Sequence, residues 1–127
     1  MDEATTRRGR PCWYRTRNLG VKAINDGILL EAGIYQLLRK YFRDKPYYLN
    51  VVELFHDVFL KTAMGQCLDL QSTNENNRPD LSKFTMSRYS SIVKYKTAYY
   101  SFQLPVALAM YMVNDYVLNL INVSFRI

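Results

Sequence analysis

Residues 97–125 carry one charge, Asp115, in 29 positions, and Pro105 falls among them. So apolar a stretch has to leave water, and its length alone would let it span a bilayer. Gln103, Asn114, Asp115, Asn119 and Asn122 are spread through it, however, and an aspartate at mid-bilayer costs about 2.5–3.5 kcal/mol. A helix apolar on nearly every face but interrupted by amides suits the centre of a larger helical bundle. No membrane span is therefore expected, and Pro105 should kink or interrupt the helix, because proline lacks an N–H and clashes with the preceding turn.

The rest of the chain supplies helices to surround it. Leu30, Ile34, Leu37, Leu38 and Tyr41 follow the i, i+4, i+7, i+8, i+11 pattern of an amphipathic helix from Ile28, with Asp26 placed to cap it and Pro46 to end it. Asn50 and Glu53 have capping-box spacing for a second helix of about five turns, with Val51, Leu54, Phe55, Val58 and Thr62 on one face running toward Leu70. Gln71 to Asp80 reads as a polar loop, after which Ser82 or Thr85 can cap a third helix through Tyr89, Ile92, Val93 and Lys96 to Leu104. The stretch through about Gly20, punctuated by Gly9 and Pro11, reads as a charged loop anchored by Trp13 and Tyr14. Strand alternation of useful length is missing, so the expected fold class is all-α.

At 127 residues, 49% hydrophobic and 22% charged, the chain has the composition of one globular domain, which excludes disordered and collagen-like readings. Its net charge of +6 is concentrated. Residues 1–17 carry +3 and residues 78–96 carry +4, while 18–77 come to −1 and 97–127 to zero. Two isolated clusters suit a small anion better than the continuous basic face of a nucleic-acid binder. Cys12 and Cys67 are too few for a disulfide framework, and His56 has no second histidine within helical reach. A reduced, cytoplasmic setting is expected.

Three short motifs could carry chemistry. Arg7 and Arg8 beside Gly9 present guanidinium forks on backbone that a phosphate can approach closely. Gln66 and Asp69, at i and i+3, put an amide and a carboxylate on one helix face, and an aspartate without a lysine partner can take hydrated Mg²⁺. Lys96, Thr97 and Tyr100 lie where the third helix turns from basic to apolar, a charged mouth above an apolar shaft that suits an anionic head and a hydrocarbon tail. Each also has a plainer reading: solvated charges at the first two, snorkelling lysines and packed tyrosines at the third.

Taken together and in order, Asp2 with Thr6–Gly9, Pro11 to Tyr14, Ala23 to Asp26, Pro46 to Tyr48, Gly65, Gln66, Leu68, Asp69 and Ile92 to Phe102 resemble the farnesyl diphosphate synthases of the polyprenyl synthase family. The resemblance implies an all-α isoprenoid synthase bundle, usually homodimeric, that condenses isopentenyl diphosphate with an allylic diphosphate using Mg²⁺. It further implies that Asp2 binds metal, beside Asp69 as the candidate from its spacing, that Arg7 holds the allylic diphosphate and Arg8 isopentenyl diphosphate, and that Lys96 and Thr97 sit near the allylic diphosphate and the incipient cation. Gln66, Asp69 and Tyr100 would line the same cavity.

The likeness covers about residues 2–113, so 1–113 is expected to be a synthase core fragment and 114–127 a divergent tail. Because Asp2 stands at the second position and no second Asp-rich motif follows, the expected activity of the chain alone is little or none. An inactive fragment or a diphosphate-binding regulatory module is the alternative. Helices lacking their partners should also leave a large exposed apolar patch.

Overall fold

The computed structural model of the chain describes residues 4–72 and 79–113. They fall into two compact units, Met1–Asp44 and Lys45–Ile127.

The first unit opens with an antiparallel hairpin, β1 (Thr6–Arg7) and β2 (Arg10–Pro11), in which Thr6 pairs with Pro11 and Arg7 with Arg10. Its two turn residues both have positive φ, +50° at Arg8 and +74° at Gly9, the requirement of the tight turn that matches strand twist. Glycine adopts that conformation freely, whereas at Arg8 it costs about 1–2 kcal/mol. The Cys12 amide closes the hairpin by donating to the Thr5 carbonyl at 3.0 Å. Gly9, expected to break order, thus creates it.

Two short 3₁₀ turns, Trp13–Asn18 and Gly20–Lys22, lead without a side-chain cap into α1 (Ala23–Phe42). Asp26 lies inside the first turn and not at the cap, because the preceding 3₁₀ turn already winds the chain. Its carboxylate instead accepts from Trp13 Nε1 at 2.7 Å, and Tyr14 Oη donates to the Ala4 carbonyl at 2.9 Å. These two bonds are the expected anchoring, although Trp13 remains exposed. α1 ends at Phe42, short of Pro46, with Arg39 and Lys40 facing its partly negative C-terminus. Of its apolar stripe only Leu38 is buried. Leu30, Ile34, Leu37 and Tyr41 are exposed, in line with the exposed patch expected from sequence.

The second unit is built on α2 (Tyr48–Leu70). Asn50 and Glu53 form no capping box, because the helix begins two residues earlier, at Tyr48, with Tyr47 making no side-chain cap bond. Val51, Val58 and Gly65 are its buried residues, spaced by seven so that they form one seam along the helix. After the described part of the loop, Asp80 accepts from the Ser82 amide at 3.2 Å and the Ser82 hydroxyl at 2.7 Å, starting a 3₁₀ turn at Leu81–Lys83. Of the two expected caps Thr85 is the one used: its Oγ1 accepts from the Arg88 amide at 3.2 Å and starts α3 (Met86–Ile92).

From here the structure departs from the expected α-helix. Val93–Gln103 is wound as a π-helix, and only then does α4 (Leu104–Val113) resume the tighter pitch. Pro105, the second residue of α4, accounts for part of this, since a widened turn lets a helix pass a residue that cannot donate to it. The chain is interrupted in pitch rather than broken. Among the described residues no helix is long and apolar enough to cross a membrane, and residues 114–125 of the apolar run lie outside the described part.

The most extensive packing in this unit joins α2 to the π segment. At its centre, a Cβ added to Gly65 would lie 2.2 Å from the backbone nitrogen of Lys96 and 2.5 Å from the carbonyl carbon of Tyr95. Only hydrogen fits there. Lys61 Nζ, paired with Asp57 at 2.6 Å, lies 4.6 Å from the centroid of the Tyr99 ring, and Tyr95 and Tyr99 stand 5.5 Å apart by ring centroid.

Replacing Gly65 by alanine should therefore destabilise the chain by about 3 kcal/mol or more, since backbone rather than a flexible side chain opposes the new methyl. The same change at Gly33 in α1, where an added Cβ meets nothing within 4 Å, should be neutral or gain up to about 1 kcal/mol. Urea unfolding followed by far-UV circular dichroism checks both, and equal stability of the two variants would refute the close contact.

Candidate functional site

Asp69 stands in the last turn of α2, a helix end that is unusually well tied down. Arg88 Nη2 donates to the Leu68 carbonyl at 2.7 Å and Arg88 Nε to Ser72 Oγ at 3.2 Å, while Lys83 Nζ donates to the Gln71 carbonyl at 3.0 Å. Two cations thus satisfy carbonyls that the helix itself leaves open and complement the negative end of its dipole. One turn back from Asp69, Gly65 takes the backbone of Lys96 against itself. Backbone contact at Gly65 and side-chain contact at Asp69 therefore fall on one face of α2, and Lys96 Nζ donates to Asp69 Oδ2.

This pairing changes the premise on which Asp69 became a metal candidate, an aspartate without a lysine partner, because Lys96 is that partner. Both side chains keep about a third of their surface exposed, 34% for Lys96 and 39% for Asp69, so an anion can reach them. Gln66 is half-buried next to Gly65. Thr97 and Tyr100 are exposed, and in the wide π turn that carries them a residue four positions on from Lys96 is still within about a tenth of a turn of it. Lys96 and Tyr100 therefore stay on one side of the segment.

A cavity of about 410 Å³ opens beside Asp69, lined by Ser72, Lys83, Thr85, Arg88 and Tyr89 among others. Its two cations are already engaged by the α2 carbonyls. Among the described residues no three His, Cys, Asp or Glu side chains come together as a metal-binding group. Mg²⁺ needs near-octahedral oxygen ligands, and one carboxylate committed to a lysine does not supply them, so the described residues do not by themselves fit the ion. Asp2, the other candidate, lies outside the described residues.

In the first unit Arg7 and Arg8 sit at the end of the hairpin, both exposed. Their sequence neighbour Arg10, which pattern reading passed over, is the direct cross-strand partner of Arg7. The signal was present, since a glycine directly between Arg8 and Arg10 marks a two-residue turn, Arg8–Gly9, that pairs the flanking positions Arg7 and Arg10. A pocket of about 270 Å³ lies beneath, lined by Arg7, Pro11, Cys12, Trp13 and Tyr14. Among the described residues, none of the three guanidinium groups is in an ion pair with a carboxylate.

Comparison with known proteins places these features. The polyprenyl synthetase family profile matches residues 1–122. The mitochondrial farnesyl pyrophosphate synthase 1 of Arabidopsis thaliana is 53% identical over 98% of this chain and 32% of its own length. The farnesyl pyrophosphate synthase of Saccharomyces cerevisiae is 54% identical over 88% of this chain and 32% of its own length. Among solved structures, the farnesyl diphosphate synthase of T. brucei superposes with a TM-score of 0.80 at 39% identity, covering 87% of this chain and 34% of that one. Its complex with risedronate does so at 0.77 and 38%, with the same coverage. The chain spans about a third of the length of the curated relatives it matches. The all-α isoprenoid synthase fold expected from the sequence is borne out: this chain belongs to the polyprenyl synthetase family.

Proposed function

We propose that the chain is the diphosphate-holding part of a farnesyl diphosphate synthase-type prenyltransferase, which joins isopentenyl diphosphate to dimethylallyl or geranyl diphosphate. The observation that carries this reading is Lys96, fixed by backbone contact at Gly65 and aimed at Asp69 on a helix that turns apolar immediately afterwards. In such a reaction the allylic C–O bond ionises and negative charge collects on the departing diphosphate. A preplaced ammonium and guanidinium groups lower that barrier by stabilising the leaving charge.

Arg7 is assigned to the allylic diphosphate, Arg8 to isopentenyl diphosphate, and Lys96 to the leaving group. Thr97, Gln66 and Tyr100 supply dipoles that stabilise the allylic cation without capturing it as a strong nucleophile would. Apolar residues of α4 exclude water that would quench it. Mg²⁺ belongs to this reading as the ion neutralising diphosphate charge, with Asp2 as its ligand from this chain. Since the described carboxylates do not fit the ion, the chain by itself should form little or no prenyl diphosphate. A homodimer and a cytoplasmic setting complete the proposal, the latter supported by the free thiols of Cys12 and Cys67.

Replacing the matching segment of the Saccharomyces cerevisiae relative with residues of this chain tests the assignment. The chimera should make farnesyl diphosphate, and Lys96→Ala or Arg7→Ala within it should lower kcat/KM by about a hundredfold or more while the fold is kept. A folded, inactive chimera would refute the reading. At the hairpin, stability and binding should separate. Arg8→Gly removes the left-handed strain and should raise thermal stability by about 1 kcal/mol, yet weaken isopentenyl diphosphate binding measured by calorimetry.

A further inference from the structure

We propose that Arg10 is a third diphosphate-binding guanidinium, so that the hairpin is itself an anion-binding device of three arginines rather than the two that the family resemblance assigns. The inference rests on the reading of Arg7 and Arg8 given above and extends it to a residue outside that assignment. Arg7 and Arg10 face each other across the hairpin as register partners, and directly opposed residues of an antiparallel pair project to the same side, with Cβ atoms about 5 Å apart. Like charges so placed repel, and a two-stranded ribbon of two residues per strand has little else to hold it.

Within the described residues no carboxylate pairs with any of the three arginines, and all three side chains are exposed. Arg8, between them, is held at φ +50°, a conformation in which arginine is strained and in which glycine would be free. Three guanidinium groups in four residues, two of them forced side by side and one on strained backbone, are an arrangement that an anion relieves. The spacing selects its kind. Two forks on one face bind two phosphoryl groups at once, each accepting paired N–H donors, which a diphosphate offers and a single phosphate does not.

Calorimetry on the full chain with EDTA present, using inorganic pyrophosphate and isopentenyl diphosphate as probes, tests this. Arg10→Gln should weaken both by about tenfold, as expected for losing one charge-assisted contact, and Arg10→Lys should restore only part of the loss. In the absence of anion Arg10→Gln should melt at the same temperature as the parent or higher, because the repulsion with Arg7 is gone, and it should lose most of the pyrophosphate-induced rise in Tm. Unchanged affinity for both probes in Arg10→Gln, with Arg7→Gln and Arg8→Gln impaired, would overturn the role of Arg10 and leave the broader reading standing. Unchanged affinity in all three variants, or no binding of either probe by the parent chain, would overturn both. A variant whose circular dichroism departs from the parent is replaced by Arg10→Met, which keeps the aliphatic stem and removes the charge, and the same outcomes apply.

Discussion

The second unit depends on a place where a side chain is missing. At Gly65 the backbone of α2 meets the backbone of Tyr95 and Lys96 with room for hydrogen alone. Packing this close sets the Lys96 Cα against the neighbouring helix, so its side chain starts within reach of the α2 face on which Asp69 stands. Asp69, one turn further along the same face, then receives the ammonium group. The rotamer entropy of ordering the long side chain still falls on the ion pair, and a half-exposed pair contributes only about 0–1 kcal/mol, so the pair follows from the packing rather than holding it together. The cations at the end of α2 serve the same placement, since Arg88 and Lys83 hold the turn on which Asp69 stands.

The two basic clusters are thus handled in opposite ways. Around α2 and α3 the cations are matched with Asp57, Asp69, Asp80 or helix carbonyls. At the hairpin, three arginines have no such match among the described residues, and the backbone of one of them, Arg8, is strained besides. A protein selected for stability alone would place a glycine or asparagine where Arg8 stands. Positive charge without a carboxylate partner, set partly on strained backbone, has the character of a binding feature, in which conformational cost is accepted so that donors are oriented before the ligand arrives.

Much of this was legible in the residues themselves. Periodicity located α1 and α2, the apolar face read for α2 included Val51 and Val58, which are buried, and Thr85 was one of two caps offered for α3. The motifs around Arg7 and Lys96 carried the family. Three things were not legible, each for a physical reason. Helix starts slipped at Asp26 and Asn50, because 3₁₀ turns and a preceding bend had already wound the chain and left the capping side chains with nothing to cap. The ion pair between Lys96 and Asp69 joins residues 27 positions apart, and no local pattern encodes which helix faces meet. The π segment escaped because its residues have ordinary helical preference. Part of what widens the helix is a proline just beyond its end, and its packing partner is a glycine on another helix.

That widening has a consequence for how the chain tolerates change in length. Each residue of an α-helix advances the chain by about 100° around its axis, whereas the wider turn of Val93–Gln103 advances it by less. The stretch therefore acts as a phase shifter between α3 and α4. The number of residues it contains and how widely they are wound together decide which side of α4 meets α2, and Ala107 is the residue of α4 that this phase buries. Removing one residue subtracts its rotation while tightening toward α pitch restores it, so this stretch can lose a residue with less rotation of α4 than an ordinary α-helix would suffer.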